Sequence, residues 1–535
     1  MIGNKGLQAQ NLNFNASALA GENLNNPTSL QFGPDNRLYV AQQNGIIYAY
    51  KIARTSANNY TVTETETIDL VKNFTPNHDD DGTPRNSANR QVTGILVTGT
   101  KSNPVLYVGS SDARVGAGGG GTDLNLDTNS GIISRLTWVG AGVDDPNGYW
   151  DKVDLVRGLP RSEENHSING LEYDAQSNIL YVAVGGFTNA GAPSNNFAFI
   201  TEYALSACIL SIDLDIIDAM PVKQSNSVYS GYTYKWVYDL PTLDDPTRNN
   251  VNGINNPKTS GYNGIDPNDP FGGNDGLNQA KLVLGGPVQI HSGGYRNLYD
   301  LVITKDGRMY GVDNGANGGW GGHPDGEADY PGEISVGGTA TVTNKYLVGE
   351  PGSTTGSTGP GGDAKVNNLN GLHYIRELQP GEFNYAKSGV HYYAGHPTPI
   401  RGNPGAAFNP AKDIFPFNAG GAGLFTKGPH TQNPHDGSDG FWRSIIMNPN
   451  DPNFKKQSLP VDWPPIPPDM ADPAEGDFRN SGQDDNSIAN YGPSTNGICE
   501  YTASNFNNAL KGNLLMAGFT GSIYVAKLSA DGKRV

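Results

Sequence analysis

His166 has the residue type and the setting to move a proton. It lies in the stretch RSEENHSINGLEYDAQSNILYVAVGG, Arg161 to Gly186, on a polar turn directly before a strand-like run. A neutral imidazole titrates close to physiological pH, so at the inner edge of a repeated unit it can accept a proton. The same position also suits a histidine that only hydrogen-bonds its own turn. Two acidic stretches, Asp79 to Asp81 and DPNDPFGGND at Asp266 to Asp275, offer the oxygen ligands that calcium takes, and they read equally well as solvated loops.

The element that presents His166 recurs. NPTSLQFGPDNRLYVAQQNG (Asn26 to Gly45), QVTGILVTGTKSNPVLYVGSSD (Gln91 to Asp112), HSINGLEYDAQSNILYVAVGG (His166 to Gly186) and RNLYDLVITKDGRMYGVDNG (Arg296 to Gly315) each read as strand, turn, strand. In each, a largely alternating apolar run meets a turn of Asp, Asn, Lys or Gly and returns through a second strand centred on Tyr39, Tyr107, Tyr181 or Tyr310. The first two intervals are roughly 70 residues and the third nearly twice that, which predicts one diverged copy in between. Long periods with several strands per unit point to the blades of a β-propeller. The expectation is an all-β propeller, a single domain over residues 1–535 with long loop insertions, its blade count of six coming from the family resemblance given below.

Composition agrees with that expectation. Gly (71) and Pro (36) together make about a fifth of the 535 residues, which favours many turns. No run of 10 to 15 residues carries a 3.6-residue apolar period, so few helices are expected. Gly116 to Asp127, Asn249 to Asn278, Asn317 to Gly338 and Glu350 to Ala364 read as surface loops, and Leu459 to Asp477 as an extended Pro-rich crossing. The C-terminal run Leu510 to Val535 is a strand pair ending at the turn signal Asp531-Gly532. Two alternatives stay open there: a strand or blade missing beyond Val535, or ring closure by a first strand near Leu12 to Phe14.

Charge and cysteine narrow the partners. With 36 basic and 53 acidic residues the net charge is -17, which repels a phosphate backbone or an anionic membrane and argues against nucleic acid. Neither a membrane span nor a signal peptide is visible. Cys208 and Cys499 lie far apart in strand-like runs and read as buried thiols rather than a disulfide framework.

Four pieces, taken in order, resemble the glucose/sorbosone dehydrogenase family of soluble quinoproteins. They are RQVTGILV (Arg90 to Val97), LPRSEENHSINGLEY (Leu159 to Tyr173), SGGYRNLYDLVITKDGRMYGVDNGAN (Ser292 to Asn317) and NALKGNLLMAGFTGSIYVAKL (Asn508 to Leu528). The resemblance implies a six-bladed propeller that oxidises a sugar with pyrroloquinoline quinone (PQQ) and calcium, in an extracellular or periplasmic setting. It implies that His166 is the general base, that Gln91 and Asn297 hydrogen-bond PQQ, and that Arg296 faces its oxygens as negative charge develops. It further implies that the backbone carbonyls of Gly315 and Ala316 bind calcium.

A second class of function stands beside this one: a noncatalytic carbohydrate- or protein-binding propeller, part of a larger multidomain extracellular chain. Asn165 stands where the enzymes commonly carry Asp, and Ala517 to Gly521 holds no lysine where the family anchors the cofactor's carboxylates. Arg296 would then tie adjacent blades together through a carboxylate, and Gln91 and Asn297 would satisfy turn backbone.

Overall fold

The computed structural model describes residues 16–79, 89–116, 126–189, 205–226, 233–243, 285–315, 370–377 and 487–535. It also describes isolated positions between these segments, among them Phe14, Phe197, Glu202 and Asn317. These residues form a β-propeller with very little helix: Leu70–Phe74, Leu214–Ala219 and a 3-10 turn at Phe506–Asn508. None is long and apolar enough to cross a membrane among the described residues.

Each expected hairpin is the inner half of a blade. Pro27–Phe32 pairs with Leu38–Gln42, Arg90–Gly99 with Pro104–Asp112, Ile168–Asp174 with Ile179–Val184, and Leu298–Ile303 with Arg308–Asn314, all antiparallel. The fifth blade is Thr495–Glu500, Leu514–Gly518 and Ile523–Ala526. From the first blade through to the fifth, each first strand packs against the first strand of the next, so these strands line the axis.

The alternation along each strand explains how the blades stack. In the third blade Leu180, Val182 and Val184 join the cluster shared with Leu96, Tyr107 and Ile133 of the second blade. The intervening Ile179, Tyr181 and Ala183 join Leu298, Leu301 and Met309 of the fourth. Successive side chains point to opposite faces, and both faces meet a neighbour, so Ile179–Val184 is buried at every position. Further clusters fill the interfaces of the first and second blades and of the fourth and fifth. Full burial of such a side chain contributes about 1.5–3 kcal/mol, which makes these interfaces the principal source of cohesion.

The described residues build five blades, not the expected six. Among them, the interval between Tyr181 and Tyr310 holds no blade of its own. Its strands Cys208–Asp213 and Val288–Gly293 complete the third blade. Thr233–Asp239 runs back to pair in parallel with Tyr149–Leu159 at the outer edge of the second, and Lys223–Asn226 extends that edge. Length alone suggested a diverged copy, whereas the described residues of the interval supply outer strands of two existing blades and a short separate pair, Thr242–Leu243 with Ile265–Asp266.

Cys208 is buried as expected, but Cys499 is exposed, because its position in Thr495–Glu500 faces away from the fourth-blade interface that buries Ile498. Phe14 lies outside any strand, its ring 5.1 Å from that of Phe506. The loops expected at Asn249 to Asn278, Asn317 to Gly338 and Glu350 to Ala364 and the crossing at Leu459 to Asp477 lie outside the described residues almost entirely, as does most of Gly116 to Asp127 and of Asp266 to Asp275.

Candidate functional site

The starts of the inner strands share one end of the channel, and that sets which side chains meet. Thr93 of the second blade reaches the third at Ser167 (3.2 Å between hydroxyl oxygens) and also donates to the Ile168 carbonyl. Asn169 carries the chain of contacts to the fourth blade, donating from Nδ2 to Asn297 Oδ1 (2.8 Å) and to the Leu298 carbonyl (3.0 Å). These contacts draw together the strand starts of the second, third and fourth blades, next to which His166, Arg296 and Asn297 stand; Gln91 lies in the second-blade strand Arg90–Gly99.

His166 is almost wholly buried, with its ring 5.0 Å from that of Phe197. Its Nδ1 lies 2.7 Å from the Gly186 carbonyl oxygen. A carbonyl only accepts, so Nδ1 carries the hydrogen and the lone pair of the neutral ring sits on Nε2. The backbone amide of His166 donates to Ser162 Oγ (3.0 Å), closing the polar turn read from the sequence.

Two adjacent glycines bring the third and fourth blades together here. A Cβ on Gly185 would lie 2.7 Å from His166 Cβ and 2.5 Å from Asn297 Oδ1. One on Gly186 would lie 2.7 Å from Glu202 Oε1 and 2.9 Å from the Arg296 carbonyl oxygen. Only residues without a side chain allow this approach. Gly186 also donates its N–H to the Arg296 carbonyl at 2.8 Å.

The backbone at Arg296 and Asn297 is clamped by Asp313, which accepts both amides, at 3.0 and 2.7 Å. The Arg296 guanidinium is buried and donates from Nε to Asn189 Oδ1 at 3.2 Å. Among the described residues its Nη2 is buried without a partner, as is Gln91 Oε1. Burial pulls the Arg296 pKa down to about 10 against the opposing influence of Asp313, Glu164 and Glu202, so it remains a cation at neutral pH. Among the described residues no carboxylate forms an ion pair with it; the expectation that Arg296 ties blades together through a carboxylate is not what holds it.

Asn189 also accepts the Asn317 amide at 2.9 Å, which brings the turn after Asn314 beside Arg296. Gly315 lies buried in that turn, while Ala316, expected with it as a calcium ligand, is outside the described residues. Across the channel, Tyr299 of the fourth blade donates to the Thr28 carbonyl of the first at 3.2 Å, and burial pushes its phenol up to about 12.

Three carboxylates here were not singled out by sequence. Glu164 lies within the quoted stretch; its Oε2 is buried without a partner among the described residues, and burial raises its pKa despite Arg161 and Arg296 nearby. Asp313 sits in the fourth repeat, where it reads as a turn residue. Glu202 lies in an aperiodic segment and no signal marks it.

No protein-family model matches the chain, and no curated protein matches it. Solved structures similar to it include the holo form of the pyranose dehydrogenase PQQ domain from Coprinopsis cinerea, at 12% identity and a TM-score of 0.30, covering 70% of this chain and 54% of that one. This chain thus spans about half the length of that structure's chain. A calcium structure of the Trichoderma reesei Carbohydrate-Active Enzymes Family AA12 is similar at 11% identity and a TM-score of 0.33, covering 96% of this chain and 95% of that one. A putative oxidoreductase (glucose dehydrogenase) from Thermus thermophilus is similar at 14% identity and a TM-score of 0.22, covering 56% and 93%.

Proposed function

We propose that this protein oxidises a sugar hydroxyl at the His166 end of the channel, with PQQ as electron acceptor and calcium as polarising ion, in an extracellular or periplasmic setting. The observation that carries the reading is the His166 Nδ1–Gly186 hydrogen bond, which puts the lone pair of the neutral ring on Nε2, while the same Gly186 donates its N–H to the Arg296 backbone carbonyl.

The residues present suit the polar edge of a quinone. A guanidinium N–H at Arg296 and an amide oxygen at Gln91 that are buried without a partner among the described residues are costly unless a ligand satisfies them, at about 1–3 kcal/mol each. Gln91 offers donor or acceptor with a half-turn of its amide, and Asn297, its oxygen taken by Asn169, keeps Nδ2 as a donor. Gly315 supplies the kind of backbone oxygen a hard cation prefers. When bound, PQQ with calcium supplies a polarised two-electron acceptor for hydride.

The chain's own contribution is to hold and move the proton. His166 Nε2 accepts the sugar's hydroxyl proton, and the Gly186 carbonyl stabilises the imidazolium that results. Arg296 fixes the orientation of the oxygens it faces and offsets the negative charge developing on them. A sugar suits the site because hydrogen-bonding groups line it, with Glu164 ready to accept from a second hydroxyl.

Glu164 also favours a second reading, a noncatalytic carbohydrate-binding propeller. Its carboxylate beside Arg296 suits neutral hydroxyls and repels an anion with three carboxylates. An absorbance titration with PQQ in the presence of calcium separates the two. The oxidative reading expects saturable binding that Arg296→Ala weakens; sugar binding without PQQ binding would leave the noncatalytic reading.

A further inference from the structure

Glu202 is fully buried and, among the described residues, accepts four hydrogen bonds. Phe187 N donates to Oε2 at 2.9 Å and Thr188 N to Oε1 at 3.0 Å; the Thr188 hydroxyl donates to Oε1 at 2.7 Å and the Ser206 hydroxyl to Oε2 at 2.5 Å. A buried carboxylate persists only when it is satisfied in this way, so the four donors and the acid fix one another's places. Two of the four are the consecutive amides that immediately follow Gly186.

Gly186 is the residue whose carbonyl accepts from His166 Nδ1 (2.7 Å) and whose N–H donates to the Arg296 carbonyl (2.8 Å). With the next two amides pinned to Glu202, the peptide joining Gly186 to Phe187 cannot rotate without breaking bonds to the buried acid. The direction in which the Gly186 carbonyl points is thereby set by Glu202. A histidine whose Nδ1 faces a fixed acceptor is held in the Nδ1–H tautomer; one whose acceptor turns away populates both tautomers and loses its base half the time or more.

We infer that Glu202 is a positioning residue that fixes the tautomer and orientation of His166 through the Gly186 carbonyl, without touching the reacting groups. This rests on the proposal that His166 is the general base. The arrangement assigns to a residue from an aperiodic loop the task that an acidic partner bonded directly to the imidazole would perform, with one peptide interposed.

The experiment is a long-range proton–nitrogen NMR spectrum of the full chain labelled at histidine, with His166 assigned by the signal that His166→Gln removes. In the wild-type protein Nδ1 is protonated and Nε2 is not. Glu202→Gln, which cannot accept at one of its two positions, shifts the pattern toward a mixture of tautomers. In the PQQ- and calcium-loaded enzyme it lowers kcat about ten- to hundred-fold with little change in KM. Thr188→Val removes one donor to Glu202 and gives a smaller shift in the same direction, which tests the inference if Glu202→Gln does not fold. A wild-type nitrogen pattern in both variants overturns the inference even if His166→Ala abolishes turnover. A tautomer shift in a protein that oxidises no sugar supports the positioning and defeats the proposed function instead.

Discussion

His166 and Arg296, residues of different blades, are joined through a single residue: Gly186 accepts a hydrogen bond from the imidazole at 2.7 Å and donates one to the Arg296 backbone carbonyl at 2.8 Å. Movement of either is therefore felt by the other. Gly186→Ala tests this coupling, because the added methyl would sit 2.7 Å from Glu202 Oε1 and 3.0 Å from Ala207 Cβ. Overpacking of this kind costs about 1–3 kcal/mol. Urea melts should show a loss in that range, whereas an unchanged midpoint would mean that the loop has room to yield.

Arg296→Lys separates charge from geometry. Lysine keeps the cation but cannot reproduce both the Nε bond to Asn189 and the Nη2 donor. Loss of one charge-assisted hydrogen bond, about 1.5–3 kcal/mol, predicts PQQ affinity lower by about ten- to hundred-fold at unchanged fold. Wild-type affinity in the lysine variant would show that only charge matters there.

A pH effect follows from two carboxyls on neighbouring inner strands. Burial, joined by the charge of Asp300, raises Glu172 to about 8, and burial raises Asp300 to about 7. Asp300 bridges blades, accepting the Leu301 amide at 3.0 Å and the Ile498 amide at 3.1 Å. Both folded-state values lie above those of the unfolded chain, about 4, so the folded state holds its protons longer. Their contribution is fully present below about pH 4 and is lost as pH rises through about 7 to 8. Glu172→Gln should flatten this decline and stabilise the protein at alkaline pH by on the order of 1 kcal/mol, after discounting for partial exposure. Denaturant midpoints across pH test it; a variant with the wild-type slope would refute it.

The inner halves of four blades were legible because burial on alternate faces imprints a period of two and because hairpins need turn residues; in the fifth, the strand pair read in Leu510 to Val535 is the second and third strands, and Thr495–Glu500 supplies the first. Tyr39, Tyr107, Tyr181 and Tyr310 all fall in second strands. The outer strands were not, since Thr233–Asp239 adds in parallel to an edge far from its place in sequence, and nothing local specifies that pairing. The meeting of His166 with Arg296 and Asn297 was legible from equivalent positions in the repeat. Glu202 was not, because its four donors come together only when the loop after Gly186 folds over it.

Oxidation of a sugar at the His166 rim, as proposed, is read out by turnover. Purified protein supplied with PQQ and calcium should reduce an artificial electron acceptor only when an aldose is present, and calcium removal should abolish the activity. His166→Ala, with its fold and PQQ binding intact, should then be slower by about 10² to 10⁴, the range for losing a general base. PQQ bound without aldose-dependent turnover, or turnover that His166→Ala leaves unchanged, would contradict the account.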